Sequence, residues 1–127
     1  MPFNVFMTAD AACDLEDLYQ YIVRHDAPGK AEYVLTTIED ICNSLSGLPE
    51  RGAYPQELSA LGIRDYREVF FKPYRVIYRV MGDNVYILLI VDGRRDMQTL
   101  LQRRLLEWGS GLDTEAHRTI YKVKEGN

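Results

Sequence analysis

The segment Tyr74–Leu106, YRVIYRVMGDNVYILLIVDGRRDMQTLLQRRLL, constrains this chain most. Two apolar stretches flank Gly82-Asp83-Asn84, which reads as a hairpin turn. Val85–Val91 is apolar on both faces, which predicts a central strand covered on both sides. Arg94 and Arg95 follow directly after Asp92-Gly93, and Asp96–Leu106 reads as a short helix rich in leucine and arginine. Arginine stays charged near neutral pH, and its planar fork suits phosphate and carboxylate. Placing Arg75, Arg79, Arg94 and Arg95 on and after buried strands points to an anionic partner.

The cover for such a strand lies upstream. Phe3–Met7 predicts a short strand, and Thr8 caps a helix over about residues 9–25. In that helix Leu15, Leu18, Ile22 and Val23 recur at helical spacing, Asp14, Glu16, Asp17 and Gln20 are expected to face water, and His25 to cap the C-terminal end. Asp26-Ala27-Pro28-Gly29 is a turn cluster. A second helix over about 28–46 carries the stripe Ala31, Val34, Leu35, Ile38, Ile41, Cys42 and Leu45. Two amphipathic helices joined so closely fold back as an antiparallel hairpin. Gly47-Leu48-Pro49 stops the second helix, residues 49–63 read as a loop with one helical turn at Gln56–Ala60, and a strand is expected from about Ile63 to Phe71 before a tight turn at Lys72-Pro73.

The order predicts an α+β fold: a helical hairpin packed on a mainly antiparallel four-stranded sheet, with a short C-terminal helix. Residues 1–106 form the domain. Trp108-Gly109-Ser110-Gly111 is expected to break the last helix, leaving 107–127 as a weakly structured tail. Along Tyr74–Met81, alternation sends Val76, Tyr78 and Val80 to the hairpin and Arg75, Ile77 and Arg79 to the other face. That second face is expected to be the exposed, functional one, with Arg67 and Arg95 joining Arg75.

Charge is divided by region. Residues 1–63 carry ten acids and three bases, residues 64–104 nine bases and five acids, and the whole chain a net charge of -4. This is no general nucleic-acid coater, which would show a high pI; a single directed anionic contact remains open. The competing reading is that the arginines pair with Asp65, Glu68, Asp92 and Asp96. Gly109-Ser110-Gly111 follows a helix rather than a strand, so it is no phosphate loop. Cys13 and Cys42 have no metal-ligand spacing and read as reduced cysteines in or near the core of a cytoplasmic protein. No metal, cofactor or membrane partner is expected; no apolar run reaches the length of a bilayer span, and the N-terminus is not a secretory signal.

Several strings together resemble the RelE/ParE superfamily of bacterial type II toxins. Ala12-Cys13-Asp14-Leu15 with Leu18 and Tyr21-Ile22 is similar to the family's first-helix opening, and Leu48-Pro49 with Gly52 to its following loop. Tyr74-Arg75-Val76-Ile77-Tyr78-Arg79-Val80 resembles its Y-R-V-I-Y strand, and Gly93-Arg94-Arg95-Asp96 the G-R-R-D that ParE-like members place after the last strand. The likeness spans roughly residues 3–106.

The resemblance implies a toxin neutralised by a small cognate antitoxin protein. RelE-like members cut messenger RNA in the ribosome, while ParE-like members poison DNA gyrase. RNA cleavage by 2′-OH attack needs a base, cations for the phosphate and an acid for the leaving oxygen. Arg75 and Arg95 match the arginine positions and Arg67 falls near a basic one. Leu101 stands where the late tyrosine would, and Glu68, Val69 and Phe70 supply no second base. The phosphate-holding half is present and the proton-transfer half absent. The leading expectation is therefore a ParE-like inhibitor of gyrase, neutralised by a ParD-like antitoxin, with no catalytic residues. Arg67, Arg75, Arg94 and Arg95 would contact target or antitoxin, nucleic acid being touched only indirectly or through the ribosome. The alternatives are a RelE-like endoribonuclease, in which Arg75 and Arg95 would be catalytic, and a degenerate, non-toxic antitoxin-binding module. Within the arginine pair, one residue should pair locally with Asp92 or Asp96, and Arg95 should serve the target.

Overall fold

The structure, a computed structural model, describes residues 2–110 and 120–123. Strand β1 (Asn4–Thr8) leads into α1 (Ala9–His25) and α2 (Lys30–Ser44). A short α3 (Gln56–Ser59) precedes β2 (Arg67–Phe71), β3 (Tyr74–Met81) and β4 (Asn84–Asp92). Helix α4 (Met97–Ser110) and a three-residue β5 (Ile120–Lys122) are the last elements among the described residues. Thr8 caps α1 as expected, its Oγ1 accepting from the Ala11 N–H at 3.2 Å. His25 closes the same helix, its Nδ1 2.9 Å from the Tyr21 carbonyl and its ring stacked on Tyr21.

The sheet runs β2-β3-β4-β1-β5. The expected antiparallel meander β2-β3-β4 is present. The fourth expected strand, β1, pairs parallel with β4 and so makes the sheet mixed, and β5, pairing antiparallel with the outer edge of β1, adds a fifth strand. Neither pairing is local in sequence, so no turn chemistry announces it. Strand β2 starts at Arg67 rather than Ile63, because the Ile63 N–H turns back to the Leu58 carbonyl and keeps 60–65 off the sheet.

The helical hairpin covers one face as predicted. Ala11, Leu15 and Ile22 of α1 and Ala31, Val34, Ile38 and Cys42 of α2 pack with Val69, Val76, Tyr78, Val85, Ile87 and Ile90. Burial pushes the Cys42 thiol up to about 12, whereas Cys13, expected in or near the core, is exposed on α1.

The second face corrects the expectation of an open, arginine-bearing surface. Ile77, Leu88, Leu89 and Val91 lie beneath Leu58, Tyr66, Met97, Leu101 and Trp108. A bulge explains how this core is fed: Ile77 opposes Leu89 and Tyr78 opposes Ile87, so Leu88 is extra and two successive leucines face the same side. The helical break expected at Trp108 does not occur. Trp108 is buried with its ring 5.7 Å from that of Tyr86, and this packing carries α4 through Gly109 to Ser110. Of the expected tail, 107–110 continue α4 and 120–122 form β5, while 111–119 and 124–127, including Gly111 and His117, lie outside the described residues.

Candidate functional site

Arg75 is the most constrained of the four candidate arginines. On β3 it points toward α3, and Gly93 makes room for it: a Cβ there would lie 2.6 Å from the Arg75 Cδ. Its Nη1 and Nη2 each donate to one carboxylate oxygen of Glu57 at 2.8 Å, a bidentate pair. Its Nε donates to Glu68 Oε1 at 2.7 Å. The arginine side chain is 12% exposed and that of Glu68 6%. Burial raises the Glu68 carboxyl above its usual range, opposed by the Arg75 hydrogen bond, while the Arg75 hydrogen bond lowers that of Glu57. Two acids therefore converge on one guanidinium that stays charged throughout, and its fork is filled from within the chain. Glu68 was one of the partners foreseen; Glu57, on the one-turn α3, was not.

Arg67 does not join Arg75. It opposes Tyr78, whose side chain lies in the hairpin-side core, so alternation sends Arg67 to that face. There its Nη1 donates to the Gly52 carbonyl at 2.9 Å, its Nη2 to the Tyr54 hydroxyl at 3.1 Å, and its guanidinium lies 4.5 Å from the Tyr54 ring centre. Gly52 is held close, its N–H donating to the Tyr78 hydroxyl at 3.0 Å; a Cβ there would lie 2.6 Å from that oxygen. Burial raises the hydroxyls of Tyr74 and Tyr78 above the usual phenol range, so both stay neutral near pH 7.

The arginine pair divides. Arg94 turns back on Asp92, its Nε 2.9 Å from Asp92 Oδ1, and its hydrogen bond holds the Asp92 carboxyl below the usual range. Arg95 is exposed, and among the described residues its guanidinium makes no hydrogen bond or ion pair. Asp96, expected to pair with an arginine, instead caps α4, accepting from the Thr99 N–H at 3.2 Å and the Thr99 hydroxyl at 2.7 Å. Leu101, which stands where the resemblance to RelE-like members would place a late tyrosine, is 1% exposed in the second core.

A further charged centre escaped the sequence reading. Asp14, expected to face water, is turned inward: its Oδ2 accepts from the Ile90 N–H at 3.0 Å and from Arg104 Nη1 at 2.7 Å. The same Arg104 nitrogen donates to the Leu88 carbonyl at 2.8 Å. Strand β1 pairs with β4 only as far as Ile87, and these two side chains supply the hydrogen bonds that β4 would otherwise lack beyond it. The signal was present in the spacing. Asp14 falls on the stripe Ala11, Leu15, Leu18, Ile22, and Arg104 on the stripe Met97, Leu101, Trp108, so each charge faces inward on its helix.

Comparison with known proteins bears on the family and the fold. Residues 5–97 match the family model described as the ParE toxin of the type II toxin-antitoxin system, parDE. Toxin ParE3 of Caulobacter vibrioides is 29% identical over 101 residues, covering 80% of this chain and 97% of that protein. Among solved structures, the chromosomal ParDE toxin–antitoxin system from P. aeruginosa superposes with a TM-score of 0.60 at 26% identity, covering 71% of this chain and 95% of its own. The RelBE2 toxin–antitoxin complex from Mycobacterium tuberculosis, at 21% identity and a TM-score of 0.53 over 72% of this chain, shares the fold. The family model takes in the Arg75 strand, both arginines after β4, and the Asp14 helix. By that match the chain belongs to the ParE toxin family of type II toxin–antitoxin systems.

Proposed function

We propose that this toxin is a ParE-like inhibitor of DNA gyrase, held inactive by a ParD-like antitoxin and acting in the cytoplasm. The observation that carries this reading is the occupied fork of Arg75. A nuclease of the RelE kind would need that guanidinium for a scissile phosphate, and here Glu57 and Glu68 already fill it. An incoming phosphate would also meet two carboxylates, which repel it. The tyrosine that proton transfer would call for is missing as well, with a buried Leu101 in its place. What remains for a target is Arg95, exposed on the loop after β4, with Arg94 partly committed to Asp92 and Arg67 to the Tyr54 loop. Arg95 would meet a carboxylate or phosphate of the target or of the antitoxin.

The test is direct. Purified protein should block gyrase supercoiling and accumulate cleaved DNA complexes, and translated messages should stay intact. Expression alone should arrest bacterial growth and co-expression of the antitoxin should restore it. Specific cuts in ribosome-bound messages, lost in Arg95→Ala, would make the protein an endoribonuclease instead. Normal growth at high soluble expression would make it an antitoxin-binding module without toxicity.

A further inference from the structure

The arginines of this chain are not all satisfied in the same way. Arg75, Arg94 and Arg104 are paired with carboxylates of the chain itself. Arg51, Arg64, Arg67 and Arg79 make no ion pair among the described residues. These last gather at the end of the sheet where β2 begins, and two tyrosines hold them there. Tyr54, 40% exposed, has the Arg67 guanidinium 4.5 Å and the Arg64 guanidinium 5.7 Å from its ring centre. Arg67 Nη1 also donates to the Glu50 and Gly52 carbonyls at 3.2 and 2.9 Å, which brings the exposed Arg51 between them to the same place. On the opposite face of the sheet, the Arg79 guanidinium lies 5.5 Å from the ring centre of Tyr66.

A ring or a carbonyl orients a guanidinium and leaves its positive charge in place, whereas a carboxylate cancels it. The β2 end therefore keeps a concentrated positive charge on a chain whose net charge is -4. Glu50 and Asp65, the acids next to these arginines in sequence, are exposed and pair with none of them among the described residues.

We propose that this end of the sheet is a site for the phosphate backbone of duplex DNA, through which the toxin touches the DNA that gyrase carries. The link to gyrase rests on the reading above; the contact with DNA does not. The layout favours an extended polyanion over one carboxylate. Arg67 and Arg79 lie on opposite faces of the sheet, so one acidic side chain cannot serve both, whereas a duplex carries a negative charge about every 1.7 Å along its axis. Both terminal nitrogens of Arg67 already donate within the chain, so it offers charge rather than an open fork. The helical hairpin is acidic and is repelled by the same duplex, which turns the β2 end toward it. Contacts to phosphate position a protein on DNA without reading bases, so the site is indifferent to sequence.

The test measures binding of the full-length protein to a fluorescent duplex of mixed sequence by anisotropy, as salt rises from about 50 to 200 mM. Arginines meeting four phosphates should give a slope of log K against log salt of about -3.6, a weakening on the order of a hundredfold over that range. In Arg51→Gln/Arg64→Gln/Arg79→Gln the slope should fall to about -0.9, and the same salt range should weaken binding only about fourfold. Arg67 is left in place because it holds the Gly52 loop. The matching triple Lys variant keeps the charges and should keep the parent's slope. The single Arg64→Gln chain, altered at an exposed position, should lower the slope by about 0.9 and decides the matter if the triple variant does not fold. With gyrase, the triple Gln variant should need about tenfold more protein for the same yield of cleaved complexes.

A parent slope near zero, or one that the Gln variants leave unchanged, overturns the inference, and gyrase inhibition by the same protein would then leave the toxin reading standing. Equal potency of parent and triple Gln variant on gyrase would remove the contact from the gyrase complex. DNA binding as expected with no block of supercoiling would sink the gyrase reading and support the DNA contact alone. If the Gln variants keep their DNA binding but lose the purified product of the small adjoining reading frame, the surface serves an acidic protein segment and the inference falls.

Discussion

The two faces of the sheet are both buried, but they are closed by different means. On the hairpin face, α1 and α2 bring an unbroken apolar layer, with Ile22, Ile38, Cys42 and Leu45 at 0–1% exposure. On the other face, the four-residue α3 and the single helix α4 are too little material for an apolar cover alone. Charged groups finish it: Arg75 ties α3 to β2 and β3 through Glu57 and Glu68, and Arg104 ties α4 to α1 and β4 through Asp14. The difference teaches that an arginine on a sheet face is not by itself a binding site. Where the cover is thin, a long side chain with five donors can serve the fold instead. In this molecule the exposed arginine that we propose for a partner, Arg95, lies past the strand, on the loop.

The largest effect should come from the continuous layer. Ile38→Ala should destabilise by about 4 kcal/mol, because the packed hairpin cannot collapse onto the cavity, whereas Leu101→Ala on the thinner side should cost about 3 kcal/mol. Denaturant midpoints would read both, and equal costs would erase the distinction between the faces.

Next come the charged ties. Asp14→Ala and Arg75→Ala should each lose about 3 kcal/mol, since each leaves partly buried groups of opposite charge without their partner. High salt should recover little of it, because the pairs are shielded from solvent. A loss under 1 kcal/mol at either position would mean that the tie is ornamental.

Arg95→Ala sharpens the same comparison from the opposite side. Its stability should stay within about 0.5 kcal/mol of the parent, while binding to the target or antitoxin should weaken by roughly 2 kcal/mol. Growth arrest and melting temperature measured together separate the two. A variant that melts several degrees lower would place Arg95 among the structural arginines.

The pH response should be smaller and of two signs. Glu57, lowered by Arg75, contributes stability that is present above its unfolded value and lost as pH falls through the folded one. Glu68, raised by burial, contributes stability that is present below its unfolded value and lost as pH rises through the folded one. Melting scans between about pH 3 and pH 7 should show the cost of Glu57→Gln shrinking toward acid. Glu68→Gln should compare best with the parent at the neutral end. Parallel curves for the two variants would show that Arg75 does not distinguish its partners. Finally, a thiol reagent should label Cys13 and spare Cys42, whose thiol burial pushes up to about 12.

Much of this was legible in sequence because it is periodic. The 3-4 spacing in α2, the alternation in β3 and the doubly apolar β4 determined the elements, the hairpin and its side of the sheet, while the family was carried by the resemblance of the Tyr74–Val80 and Gly93–Asp96 strings. Arg94 beside Asp92 is a local pairing and could be read as one. The tertiary structure alone decided what depends on residues far apart meeting. It set β1 parallel to β4, filled the fork of Arg75 from a one-turn helix 18 residues earlier, and joined Asp14 to Arg104 across 90 positions. It also carried α4 through Gly109, because burying Trp108 outweighs the helix propensity of one glycine. Propensity and period are properties of a segment, whereas the partner of a charge and the edge on which a strand lands are fixed only when the whole chain competes for the same buried surface.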